Sequence, residues 1–356
     1  MSLRRERGGV TGRERWTALT AAFALIVLAL GLAAVRLPLV VWSAGGLVDL
    51  YAGDDKTQLG VSGVVTYGTS GKLQVAGVAV GGQTVSLARA LRAFYLPNEA
   101  VMPQAVNYPV GLPIGQVAVG VTTQEALRAT EAAALRAAGM PVERAPRVVS
   151  VMSSGPSYGL LQPDDVREGV GSTSVTSVAD FNQALILNYS VGDTVQLAIT
   201  RGGVRLENQV DVVAQASNNE QQTPSLGVVL TDSFLLGSVE VHGAPTDIGS
   251  GLMLALGIYD LVTPGNLLGG KSVAGSGMVD ANGVVSSVAG AVERLQAAQA
   301  AGVDIYLLPR SSCANVSLGT SPMIVLAVGS LADAIDGIRM VVAGGPAKQV
   351  YSCPSG

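Results

Sequence analysis

Apolar and polar positions are patterned differently in successive parts of the chain. Residues 16–35, WTALTAAFALIVLALGLAAV, form an uncharged apolar run of about 20 residues, enough to cross a bilayer at roughly 1.5 Å per residue. Short alternating runs follow, LGVSGVVTYG and GKLQVAGVAV, and read as strands separated by glycine turns. SLARALRAFYLP predicts a short helix stopped by Pro97, and TTQEALRATEAAALRAAG a longer one ended by Gly139.

From about residue 146 the segments RVVSVMSSGPSYGLLQPDDV and TSVADFNQALILNYSVGDTVQLAITRGGVRLENQVDVV predict strand, turn, two helices and a strand hairpin. The hairpin joins VQLAIT to VRLENQVDVV through RGG. ASNNEQQTP, residues 216–224, is polar and reads as a linker. Over about 225–345, strands (SLGVVL, GSVEVH, SVAGSGMV, DIYLLP, MIVLAV) alternate with helices (GLMLALGIYDLV, AVERLQAAQAAG, SLADAIDGIRMVV). That order predicts an α/β or α+β domain with its own core.

Composition and charge narrow the function classes. The 356 residues carry a formal net charge of −4, with no basic excess, so nucleic acid is not an expected partner. Arg4, Arg5, Arg7, Arg13 and Arg15 precede the apolar run. The positive-inside rule then predicts a cytoplasmic N-terminus and an exported remainder, with a cleaved signal peptide as the rival reading. Two cysteines, Cys313 and Cys353, become a candidate disulfide in an oxidising compartment, against the alternative of two unpaired thiols.

Three motifs invite a chemical reading. GNLLGGKS, Gly265 to Ser272, fits the P-loop pattern, but a P-loop needs a strand before it and a helix after it. Here the order is reversed, so no nucleotide site is expected. GPSYG, Gly155 to Gly159, fits a nucleophile elbow at Ser157. Its base would have to be His242, the one histidine, which lies on a strand-like run. One histidine and two distant cysteines make no typical zinc site, and no cofactor is expected. The third motif is PTDIGSGLMLALGIYDLVTP, residues 245–264, where a glycine-rich turn carrying Ser250 enters a helix. Lys271 is the nearby lysine that could serve Ser250 as a base.

LPLVVWSAGG, ATEAAALRAAG, RVVSVMSSGPSYGLLQPDDV and above all GLMLALGIYDLVTPGNLLGGKSVAGSGMVDANGVV together resemble the membrane-anchored, PDZ-containing Lon-type (S16) serine peptidases of bacteria. The resemblance covers nearly the whole chain. The family's usual Gly-Asp in the PDZ loop stands here as Asp164-Asp165. The resemblance implies an α+β multidomain chain with an N-terminal transmembrane helix. It comprises a basic tail (1–15), an anchor (16–42), an extracytoplasmic region (43–145), a PDZ-like domain (146–218), a Lon-type proteolytic α/β domain (219–350) and a tail (351–356). It implies a single-pass protein of the cell membrane, a peptide or unfolded segment as partner at the PDZ-like groove, and pairing through the Lon-like domain. Cysteines at positions like Cys313 and Cys353 recur in relatives.

The family's chemistry is a Ser–Lys dyad, and alignment puts its serine at Gly249 and its lysine at Arg294. Glycine has no hydroxyl, and arginine stays protonated and cannot act as the base. Ser276 matches a position that often carries a hydroxyl near the dyad. The expected function is therefore a tethered peptidase homologue, catalytically impaired, that binds peptide or acts as a regulatory or scaffold subunit. The alternative is an active extracytoplasmic serine endopeptidase with a rearranged site using Ser250. A purely structural envelope protein is the third class.

Overall fold

The computed structural model describes residues 12–52, 58–81, 84–95, 99–103, 118–216, 222–243, 248–317 and 321–353. Arg4, Arg5 and Arg7, residues 217–221 of the linker, and 354–356 of the tail lie outside the described residues. In chain order come α1 (Gly12–Ala34), β1 (Arg36–Leu37), β2 (Leu39–Asp49), β3 (Gly60–Ser62), β4 (Lys72–Val80), β5 (Val85–Ser86), α2 (Leu87–Tyr95), β6 (Glu99–Pro103) and α3 (Ala118–Ala137). The middle of the chain gives β7 (Glu143–Val151), β8 (Val166–Val170), β9 (Thr173–Ser174), α4 (Val178–Asn188), β10 (Thr194–Arg201), β11 (Val204–Asp211), β12 (Val213–Ala216), β13 (Gln222–Ser225) and β14 (Val228–Leu235). Then follow β15 (Glu240–His242), α5 (Gly251–Val262), β16 (Ser272–Gly275), β17 (Met278–Val279), β18 (Val285–Ser286), α6 (Ala291–Ala301), β19 (Ile305–Pro309), β20 (Ile324–Val328), α7 (Leu331–Val342) and α8 (Ala347–Val350).

The chain divides into two compact units, Met1–Gly45 with Val78–Ile114, and Gly46–Gly77 with Gly115–Gly356. In the first, β2 pairs with β6 and β1 with β5, both antiparallel. Val41, Val85, Ala90 and Ala93 form its core. The expected anchor over 16–42 is not what folds here. The helix stops at Ala34, and the remainder of the segment turns into strand, with Val40, Val41 and Trp42 buried. Trp16, Phe23 and Leu28 are exposed along α1. Among the described residues no helix is long and apolar enough to cross a membrane. That finding overturns the transmembrane helix, the single-pass cell-membrane placement and the membrane as partner.

The second unit has two layered parts. One is an antiparallel sheet in the order β11-β10-β8-β7-β14. Its core is Phe181, Ala184 and Leu185 of α4 packed on Val195, Leu197, Ile199 and Leu226. The predicted hairpin forms, with Arg201 opposite Val204. β14 pairs with β7 along its whole length, so this sheet takes in a strand from beyond the boundary drawn at 218. The other part is a parallel run β20-β19-β16-β4, packed by α5, α6 and α7. Helix α5 is buried on all sides, as expected of a helix that is apolar all round. Helix α3 serves both parts. Its Arg147-facing side pairs Glu125 with Arg147 of β7, and its Thr130 hydroxyl bonds the Ala126 and Val279 carbonyls.

Candidate functional site

The antiparallel sheet ends in β14, which has a neighbour on one side only in the strand order. Helix α4 lies beside that edge. Ser177 caps it, accepting the Asp180 N–H at 3.0 Å, as a serine N-cap does. Between helix and edge strand runs a cleft of about 220 Å³, lined by Val178, Phe181, Asn182, Leu185, Val228 and Leu230, with Leu226 at one end. The backbone turns sharply there. Gly227 has φ +68°, and a Cβ on it would sit 3.0 Å from Gly155 Cα. Ser157 is fully buried and donates to the Leu226 carbonyl at 2.7 Å. GPSYG is thus the turn that holds the end of the cleft. His242 is exposed on β15, opposite Gly60 of β3, so neither residue of the Ser157–His242 pair sits where catalysis would need it.

Beneath the cleft, Arg167 is fully buried with its Cζ 4.5 Å from the Phe181 ring centre. Burial pushes its pKa down to about 9, with the nearby Asp165 charge acting the other way. Its Nε, Nη1 and Nη2 have no hydrogen-bond partner among the described residues. A desolvated cation–π contact is worth about 2 kcal/mol, whereas an ion buried without hydrogen bonds costs several. Arg167→Met is therefore expected to raise unfolding stability by about 1–2 kcal/mol, read as a higher denaturation midpoint with an unchanged m value. A lower midpoint would show that the guanidinium is held by more than the aromatic face.

The second locus is the N-terminus of α5. Gly249 and Ser250 form part of a 3₁₀ turn leading into it, and both are buried. The Gly249 carbonyl accepts the Gly277 N–H, and the Gly277 carbonyl accepts the Leu252 N–H, each at 2.9 Å. Arg294 of α6 reaches this point. A Cβ built on Gly249 would lie 2.7 Å from Arg294 Nη2 and 3.0 Å from its Cζ. The guanidinium also donates to the Ala289 and Ala76 carbonyls. Ser276 and Tyr306 are buried, with hydroxyls 3.3 Å apart. Burial raises the Tyr306 pKa to about 12, while the Ser276 hydrogen bond and the Arg294 charge pull it down.

The structure therefore brings Gly249, Ser250 and Arg294 together and leaves Lys271 out. Lys271 precedes β16 and Ser276 follows it, a run of roughly 15 Å at 3.3 Å per residue. Only the far end reaches Gly249. The GNLLGGKS stretch leads from α5 into β16, a helix-to-strand order that cannot aim a helix N-terminus at phosphate. Cys313 and Cys353 are joined in a disulfide. A groove of this kind is expected from the sequence, and what the sequence misses is the strand that walls it. SLGVVL was legible as a strand, but not as the open edge beside α4.

Part of the chain is similar to known proteins. Residues 119–212 match the PDZ domain family, so the chain contains a PDZ domain, and such a domain implies peptide binding. Solved structures similar to part of this chain include the PDZ domain of the SdrC-like protein of Listeria monocytogenes. It is 22% identical, and the match covers 24% of this chain and 86% of that one, with a TM-score of 0.22. The PDZ domain of the SdrC-like protein of Listeria innocua is 23% identical over 24% of this chain and 92% of that one, also with a TM-score of 0.22. No curated protein matches the chain.

Proposed function

We propose that this chain works by capturing an extended peptide segment in the α4–β14 cleft, as a binding or regulatory protein. The observation that carries this reading is an edge strand lying open beside a cleft lined mainly by apolar residues. An added strand would satisfy its backbone groups, while alternate side chains enter the cleft. The α/β part is proposed to be a Lon-type (S16) peptidase domain that has lost its Ser–Lys dyad. Its support is the juxtaposition of Gly249 with Arg294, where a hydroxyl and a titratable base would be needed. Domain limits follow: a PDZ module extending to Leu235 and a peptidase-like domain after it.

Fluorescence polarisation with labelled peptides ending in a free apolar residue tests this. Saturable binding is expected. Asn182 is exposed on the cleft wall, so Asn182→Trp fills the cleft without entering the core and should weaken binding at least ~tenfold, or about 1.4 kcal/mol. Binding indifferent to that change, or absent across a C-terminal peptide library, would remove the proposal.

A further inference from the structure

The cleft has a chemical gradient along its length. At the turn end its walls are Leu226, Val228, Phe181 and Leu185. At the other end stands Asp232, exposed on β14, its Oδ1 accepting the Val178 N–H at 2.6 Å. Asp180 lies in the same first turn of α4, also exposed, and its carboxylate accepts the Thr176 hydroxyl and backbone N–H. Among the described residues no lysine or arginine lines the cleft. The strand register fixes the spacing. Between Val229 and Leu230 the pairing partner moves from Ser150 to Val148, so the extra residue is on β7. β14 keeps its alternation, and Val228, Leu230 and Asp232 present one face at successive two-residue steps.

Resting on the peptide-capture reading, we infer that the cleft selects a peptide whose last and third-from-last residues are apolar and whose fifth-from-last residue is basic. A strand added to β14 places every second side chain against the helix. The first two such side chains meet the apolar walls around Phe181, Leu185 and Val178. The third meets the Asp232 carboxylate. Direction follows from charge, because a free terminal carboxylate is repelled by Asp180 and Asp232 and settles at the turn of residues 225–227. Two exposed carboxylates favour an ammonium or guanidinium there over a third negative charge.

The test compares two labelled peptides with free C-termini, ending Lys-Ser-Leu-Ser-Val and Glu-Ser-Leu-Ser-Val, on the full chain at low salt. The lysine peptide is expected to bind about fivefold tighter, the size of an exposed charge contact. Asp232→Asn retains an acceptor for the Val178 N–H and removes the charge, so the ratio should fall to about one, as it should in high salt. Both peptides binding equally well to the unaltered chain, or an unchanged ratio in Asp232→Asn, overturns the inference while leaving peptide capture standing. If neither peptide binds while other free-ended peptides do, the selectivity is again wrong. If no peptide binds at all, the capture reading falls together with it.

Discussion

Gly249→Ser is expected to lower stability by about 1–3 kcal/mol, the range for overfilling a packed site, and to give no peptidase activity. The new Cβ would sit 2.7 Å from Arg294 Nη2. Its neighbour is the tip of a flexible side chain, but that tip is buried and tied to the Ala76 and Ala289 carbonyls. Moving it means breaking those bonds in a dry site. Arg294→Lys shortens the side chain and removes the planar fork, so the two changes should compensate. The double variant should be more stable than the sum of the single effects by at least about 0.5 kcal/mol, the lower end for residues in contact. A fluorophosphonate probe separates the chemistry from the packing. The unaltered chain should remain unlabelled, and the double variant should acquire slow labelling, because it alone has both a hydroxyl at the head of α5 and a base that can shed its proton. Labelling of the unaltered chain that disappears in Ser250→Ala would instead establish Ser250 as a working nucleophile. Additive destabilisation would mean that the guanidinium does not occupy the space a side chain at position 249 needs.

Local pattern carried much of the fold. The RGG hairpin, the helix at 251–262, apolar but for Asp260, and the helix-to-strand order around GNLLGGKS are each set by residues within a few positions of one another. What sequence could not supply was long-range pairing. SLGVVL reads as a strand in isolation, but its partner β7 lies about 80 residues earlier, and nothing in a period-two pattern names a partner. A PDZ-like groove is expected from the sequence, but its edge strand follows only from that pairing, which local pattern does not give. The 16–42 segment failed for a related reason. Apolar length alone does not distinguish a helix from the β-branched run at Val40 and Val41 that enters a sheet core. Loop chemistry was more telling. Asp164 holds φ 74°, the one positive φ among described non-glycine residues. Aspartate tolerates that region better than most side chains, and its carboxylate also takes the Arg147 guanidinium. Arg167 gave no signal, since a strand arginine reads as surface until the helix above it is placed.

Replacing both cysteines by serine, Cys313→Ser with Cys353→Ser, is expected to cost about 4 kcal/mol, the chain-entropy value for a closed loop of this length. The bridge joins residues 40 apart, and the loop between them contains β20 and α7, whose Leu326, Val328 and Ile338 are fully buried. Its entropy therefore belongs to the core of the α/β part and not to a loose tail. The C-terminal segment also does structural work of its own. The Tyr351 carbonyl accepts the Ala327 N–H at 2.6 Å, which covers the outer edge of β20 where the sheet would otherwise be open. Tyr351 packs its ring within 3.3–3.4 Å of a Cβ position on Gly337. Two measurements distinguish global from local loss. Denaturant titration should show the midpoint falling with no change in cooperativity, and amide exchange at Ala327 should accelerate together with that at Leu326 and Val328. If exchange accelerates at Ala327 alone and the midpoint moves by less than about 1 kcal/mol equivalent, the bridge merely pins the terminus, and the loop-entropy argument does not apply to this domain.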